Sequence, residues 1–205
     1  MYLYKEVVVT NKTVIIVDDS SASRLCLRLL YQEQGYRVIG EYSSVKDFQR
    51  NVLSESPGLL SLDYALGDGT GIDLYEIIKA RYPKLDVIFV TSFLDESKLM
   101  AMYESGVLGI LYKDNLEHLS RALSYMSRGL RYFDEDVSSR LLEFQSLCQH
   151  LTCAERKTFL ALMSGDTVSF VAERLSMADR TVRSHKHRII LKLGRQTFER
   201  YCLAG

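Results

Sequence analysis

The chain has 205 residues, 26 basic and 26 acidic, a length that suits two domains better than one. No run of about 18 apolar residues occurs, which argues against a membrane-spanning helix. Its net neutrality conceals a split: from residue 150 onward ten Lys/Arg face five Asp/Glu, which leaves sixteen against twenty-one before it. The C-terminal quarter is therefore suited to a polyanion and the rest is not. The N-terminal stretch "MYLYKEVVVTNKTVIIVDD" lacks a secretory layout, because its apolar runs are broken by Lys5, Glu6 and Lys12. Cys26, Cys148, Cys153 and Cys202 form no C-x-x-C pair. They read as reduced thiols of a cytoplasmic protein rather than a disulfide framework or a zinc site.

In chain order, β-rich runs alternate with helical patterns. The runs are "KTVIIV", "YRVIGEY", "GLLSLDY", "DVIFVTS" and "LGILYK". Between and after them, helix periodicity puts Leu25, Leu29 and Leu30 on one face, Leu74, Ile77 and Ile78 on another, and Leu116, Leu119 and Leu123 on a third. Gly35, Pro83, Gly106 and Gly129 mark helix ends. Five strands alternating with five helices predict an α/β domain over residues 12–128: a doubly wound, five-stranded parallel sheet with helices on both faces. Its binding crevice belongs outside the carboxyl ends of the strands. Residues 129–149 read as a linker carrying a helix. Four helical segments without a strand follow, predicting an all-α domain over 150–205.

The strand ends of the first domain carry a coherent set of side chains. Asp18 and Asp19 follow the first strand, Asp63 the third, Thr91 ends the fourth and Lys113 follows the fifth. Three carboxylates gathered at one sheet edge need a cation, and hard oxygen ligands suit Mg²⁺. A lysine and a hydroxyl beside them can hold the oxygens of a phosphoryl group. Asp18 and Asp19 are accordingly assigned to a metal, with Asp63 also within its reach. Asp63 is assigned as the carboxylate nucleophile that accepts a phosphoryl group.

The spacing of Asp18-Asp19, Asp63, Thr91 and Lys113, with "LDYALGDGTGIDL" around Asp63, resembles the receiver domain of two-component response regulators. That resemblance implies a flavodoxin-like fold, phosphorylation of Asp63 by a sensor histidine kinase, and closer metal contact from Asp19 than from Asp18. The sequence departs from the family pattern at three places. Gly67 stands where a proline is usual, Asp114 follows the lysine in place of proline, and Ile110 occupies the aromatic switch position three residues before Lys113.

In the basic module, Thr152 and Glu155 form a Thr-x-x-Glu capping box. Over Asp179 to Leu193 the helical wheel places Val182, Ile189 and Leu193 on a stripe to be buried. Arg180, Arg183, Ser184 and His187 lie on the opposite arc, and Lys186, Arg188 and Lys192 flank it within reach of phosphates. Such a helix docks one side on a scaffold and enters the major groove of duplex DNA with the other. Leu151-Thr152, Glu155, Gly165, Val171-Ala172, Leu175, Thr181-Val182, His185 and Lys192-Leu193-Gly194 resemble the LuxR-type (NarL/FixJ) helix-turn-helix. The resemblance implies base contacts from Arg183, Ser184 and His187, a place for Thr181 in the DNA-binding set, and a final dimerisation helix in "RQTFERYCLAG". Ala178 replaces a capping serine, which leaves Asp179 or Ser176 to cap the helix.

These features together predict a cytoplasmic, DNA-binding response regulator that acts as a homodimer and is not an enzyme. A phosphorylation-independent DNA-binding regulator is the alternative, motivated by Ile110. A haloacid-dehalogenase-type phosphatase is disfavoured because Ser20 and Ala65, not aspartates, stand two residues after Asp18 and Asp63.

Overall fold

Thr13–Val17, the apolar run before the aspartate pair, forms strand β1, and all five residues are buried. A strand covered on both faces reads as continuous apolar sequence rather than alternation. The computed structural model describes residues 12–51, 57–92 and 94–202. Two compact units emerge, one comprising Met1–Ser92 and Val107–Phe133, the other Phe93–Gly106 and Asp134–Gly205.

The first unit is a wholly parallel sheet ordered β2-β1-β3-β4-β5-β6. Its strands are β1, β2 (Arg37–Tyr42), β3 (Leu59–Leu62), β4 (Asp86–Thr91), β5 (Gly109–Tyr112) and β6 (Tyr132–Phe133). The expected five strands gain a sixth. Two residues are too few to show a strand pattern, yet Tyr132 and Phe133 pair with Gly109 and Ile110. Helices α1 (Ser21–Glu33), α2 (Val45–Arg50), α3 (Gly71–Arg81) and α5 (Leu119–Met126) join the strands, and a 3₁₀ turn over Lys113–His118 precedes α5. Ser20 is the N-cap of α1 and accepts from Ser23 N at 3.3 Å.

The helix faces suggested by the periodicity hold in α5, hold in α3 except at Ile77, and fail in α1. In α1, Leu27 and Tyr31 are buried, while Leu25 and Leu29 are about half exposed. Leucines at 25, 27, 29 and 30 make apolar pairs on more than one side of this helix, so spacing alone did not decide. In α3 the buried set is Leu74, Tyr75 and Ile78, and Ile77 faces outward. In α5 the expectation for Leu119 and Leu123 holds, with Ala122 and Met126 beside them and Leu116 only partly buried.

The second unit contains α4 (Glu96–Glu104) together with α6 (Glu135–Cys148), α7 (Cys153–Met163), α8 (Val168–Arg174), α9 (Asp179–Leu193) and α10 (Arg195–Cys202). Its centre is aromatic. Phe144 of α6 stacks on Phe159 of α7 at 5.8 Å and 9°, and Phe198 and Tyr201 of α10 close the cluster at 5.9–6.1 Å. The helix in segment 129–149 thus supplies part of a core. Polar bonds join α4 to the same helices: Arg140 donates to Glu96 Oε1 at 3.1 Å and to the Leu94 carbonyl at 2.7 Å, and Gln145 donates to Tyr103 Oη at 2.6 Å. Arg156 pairs with Glu104.

Candidate functional site

β1 and β3 run in register, Val17 opposite Leu62, so the residues that follow them, Asp18 and Asp63, emerge side by side. The Asp63 amide donates to Val17 O at 2.8 Å, and Asp18 is tied by Ser20 N to its Oδ1 at 2.8 Å and by Arg24 Nη1 to its carbonyl at 2.6 Å. Asp18 and Asp63 are buried while Asp19 is exposed at the rim. Asp18, Asp19 and Asp63 each bring a carboxylate oxygen within 4.8 Å of the others.

Lys113, just past β5, puts its Nζ 2.7 Å from Asp18 Oδ2 and 2.7 Å from Asp63 Oδ2. Burial pushes the Asp18 acid up, only partly offset by Lys113. Burial pulls Lys113 down, but its bonds to Asp18 and Asp63 outweigh that and hold it above the usual range. One ammonium against three carboxylates leaves a net deficit of positive charge. An all-oxygen donor set of this kind fits a hard divalent cation such as Mg²⁺. Thr91 is buried at the end of β4, in register with Tyr112, the residue before Lys113.

Two further positions bear on this edge. A Cβ on Gly71 would lie 2.1 Å from the Asp63 carbonyl, so only glycine lets α3 start this close to the end of β3. Ile110 is wholly buried, flanked in register by Phe89 and Phe133.

In the helical unit, Arg180, Arg183, Ser184, His187 and Arg188 are exposed on α9, and Thr181 and Lys186 are half-buried. Val182 and Ile189 are fully buried as expected, whereas Leu193 is only half-buried. Arg180, Thr181, Ser184, His185 and Arg188 line a groove along one flank of α9, and Arg183, Lys186, His187 and Ile190 line another with Val168. Lys186 Nζ also lies 5.5 Å over the Phe198 ring. Ala178 is the N-cap of α9 and gives no side-chain bond. Neither expected substitute caps it: Ser176 sits in the turn at φ 53°, and Asp179 accepts from Ser169 Oγ at 2.7 Å.

Residues 14–124 match the family model described as "Response regulator receiver domain". Over 191 residues the chain is 30% identical to the "DNA-binding transcriptional activator DevR/DosR" of Mycobacterium tuberculosis (strain ATCC 25618 / H37Rv), covering 88% of each. This chain belongs to the response regulators of the LuxR type. The regulator is also 29% identical over 193 residues to the "Transcriptional regulatory protein RcsB" of Escherichia coli (strain K12), covering 90% of this chain and 89% of the relative. Among solved structures, it resembles RcsB from Salmonella enterica serovar Typhimurium bound to promoter rprA in the presence of phosphomimetic BeF3-. That likeness has a TM-score of 0.64 and 26% identity, covering 93% of this chain and 96% of the other.

Sequence reasoning missed two features of this response regulator. His185 is held by α7: the single proton of Thr158 Oγ1 goes to Ala154 O at 2.9 Å, so His185 Nδ1, 3.0 Å from that oxygen, is the donor. Lys192, expected to reach a phosphate, instead pairs with the buried Glu155 at 2.6 Å. Glu155 Oε2 also takes the Thr152 amide at 2.8 Å, completing the expected capping box. The box was legible over four residues, but the partner 37 residues away carried no local signal.

Lys192→Ala is therefore expected to act on stability. The predicted loss is about 1–2 kcal/mol, less than the ~3–5 kcal/mol for a wholly buried pair because the lysine remains partly solvated. Lys192 and the Thr152 amide hold the Glu155 acid at about 2, against roughly 4.3 in an unfolded chain. A depressed folded value adds stability above the unfolded value and loses it as pH falls through the folded one. Urea midpoints should therefore show the gap between wild type and Lys192→Ala narrowing as pH drops from about 5 toward 2. A gap independent of pH would assign the loss to packing.

Proposed function

We propose that this response regulator is a cytoplasmic, homodimeric DNA-binding transcription regulator whose affinity for promoter DNA is set by phosphorylation of Asp63. The phosphodonor is a sensor histidine kinase or a small acyl phosphate. One observation carries the reading of the acidic edge: Lys113 Nζ stands 2.7 Å from both Asp18 Oδ2 and Asp63 Oδ2. A cation placed between two buried carboxylates marks where an added phosphoryl dianion finds compensation.

An Asp63 carboxylate oxygen attacks the donor phosphorus, the bond from phosphorus to the donor breaks, and an acyl phosphate remains on Asp63. Lys113 then transfers its contact from the Asp63 carboxylate to a phosphoryl oxygen, and the Thr91 hydroxyl donates to another. Asp18, Asp19 and Asp63 would hold Mg²⁺, which when bound offsets the charge of the transferring group. In the helical unit, Arg183, Ser184 and His187 face bases while Arg180, Thr181 and Arg188 meet the backbone. Lys186 shares its charge with the Phe198 ring, and Lys192 holds Glu155. The relatives named above are described as transcription regulators, which supports a regulator rather than an enzyme.

The test is promoter binding with and without a beryllofluoride phosphoryl analogue plus Mg²⁺. Tighter binding with the analogue is expected. Equal binding would favour the phosphorylation-independent reading, for which the specific motive is an aliphatic residue, fully buried, at Ile110. Mg²⁺ itself is checked by Asp19→Ala, which should raise the Mg²⁺ dissociation constant in calorimetric titration by at least about tenfold. An unchanged constant would remove Asp19 from the metal site.

A further inference from the structure

The loop after Asp63 is a tight excursion pinned at its base. Ala65 bridges Thr70, Leu66 N donates to Gly69 O at 3.2 Å, and Leu66 is buried. At its tip, Gly67 has φ 66°, a value closed to the proline usual in the family. A Cβ on Gly67 would come 3.9 Å from Asp19 Oδ2, so the tip passes beside the acidic trio. Glycines on both sides of Asp68 give the tip little stiffness of its own.

Stiffness comes instead from outside the loop. Asp68 Oδ1 accepts from Val45 N at 2.9 Å and Oδ2 from Lys46 N at 3.1 Å. These are the first two amides of α2, which have no partner within their own helix; the third, on Asp47, goes to Ser44 Oγ at 3.1 Å. The other side of the tip is seated as closely: a Cβ on Gly69 would lie 3.1 Å from Val45 Cγ2. The bond from the Lys46 amide leads in drawing the Asp68 acid below the usual carboxylate range, so the carboxylate is charged whenever the site works.

We propose that Asp68 is a positioning residue of the phosphoryl-acceptor site: its carboxylate ties the Asp63 loop to the start of α2 and so holds the loop's passage beside Asp19 and Asp63 in the geometry that receives metal and phosphoryl group. This rests on the reading of Asp63 as the acceptor. A residue of this kind acts on the site more than on the fold. Asp68 is solvent-exposed at the surface of α2, and water replaces its bonds to the two amides when it is lost. The loop tip, by contrast, loses its only hydrogen bonds to another element among the described residues.

The experiment uses the full chain as wild type, Asp63→Asn, Asp68→Ala and Asp68→Asn. It measures the rate of mass gain from acetyl phosphate over a range of donor concentrations, the Mg²⁺ affinity by titration with the metal alone, and the melting temperature. Asp68→Ala should lower the phosphorylation rate and weaken Mg²⁺ by roughly five- to tenfold, well below the full worth of two charge-assisted bonds because water takes their place at this exposed carboxylate. Its melting temperature should stay near wild type. Asp68→Asn, which keeps one acceptor oxygen, should fall between the two. A rate and Mg²⁺ affinity within about twofold of wild type in Asp68→Ala would overturn the proposal, as would a full rate in Asp68→Asn alongside a melted Asp68→Ala. If wild type gains no phosphoryl group, or Asp63→Asn gains as much, the acceptor reading itself fails and takes this inference with it.

Discussion

Replacing Asp63 with asparagine should abolish phosphoryl gain from acetyl phosphate in Mg²⁺, where intact mass of the wild type rises by one phosphoryl group. The loss should be complete rather than partial, because no neighbour can substitute. Among the described residues Asp18 is the only other buried carboxylate at this edge, and its carboxyl group is already engaged by Ser20 N and Lys113. Asp19 lies at the exposed rim, where the proposed site gives it to the cation. An asparagine amide is also no nucleophile at phosphorus. The variant should remain folded, since it removes one of three mutually repelling charges and leaves Lys113 paired with Asp18. Phosphoryl gain persisting in a folded Asp63→Asn would put the acceptor elsewhere.

Arg183→Ala should separate base reading from backbone contact. Arg183 is exposed on α9, one turn before His187, and both line the same groove with Val168 and Ile190. An arginine reading guanine through O6 and N7 contributes about 1–3 kcal/mol of discrimination. Its loss should therefore weaken promoter binding by roughly 5- to 150-fold while scrambled DNA is bound nearly as before. Arg188→Ala, on the opposite groove, should weaken both DNAs alike and reduce the slope of log affinity against log salt by about one. Isotherms on both DNAs at several salt concentrations distinguish the two patterns. Equal weakening by Arg183→Ala would reassign that residue to a phosphate and rotate α9 in the groove.

The acidic edge is legible in the sequence because its residues sit at strand ends, where a parallel sheet delivers them to one side. Asp18, Asp19, Asp63, Thr91 and Lys113 needed only the alternation of β-rich runs and helices to be grouped. The face of α9 was legible for a similar reason: a 3.6-residue period assigns Val182 and Ile189 inward and Arg183 and His187 outward whatever lies beneath. Two-residue β6 was not legible, because no period can be seen in two residues. Nor was the buried face of α1, whose leucines offered more than one apolar side until the sheet selected Leu27 and Tyr31.

The sequence by itself therefore determined the order of the elements, the chemistry gathered at the strand ends and the arc of α9 that meets solvent. These depend on periodicity and on side-chain type, which are local. Only the tertiary structure decided which charges are still free. Lys192 flanks the exposed arc of α9, yet Glu155, 37 residues earlier, stands 2.6 Å from it. Lys186 leans on Phe198, Asp68 reaches back to the amides of Val45 and Lys46, and Lys113 bridges Asp18 and Asp63. A charge acts over a few ångströms of space, and distance along the chain does not record which groups the fold brings within that reach.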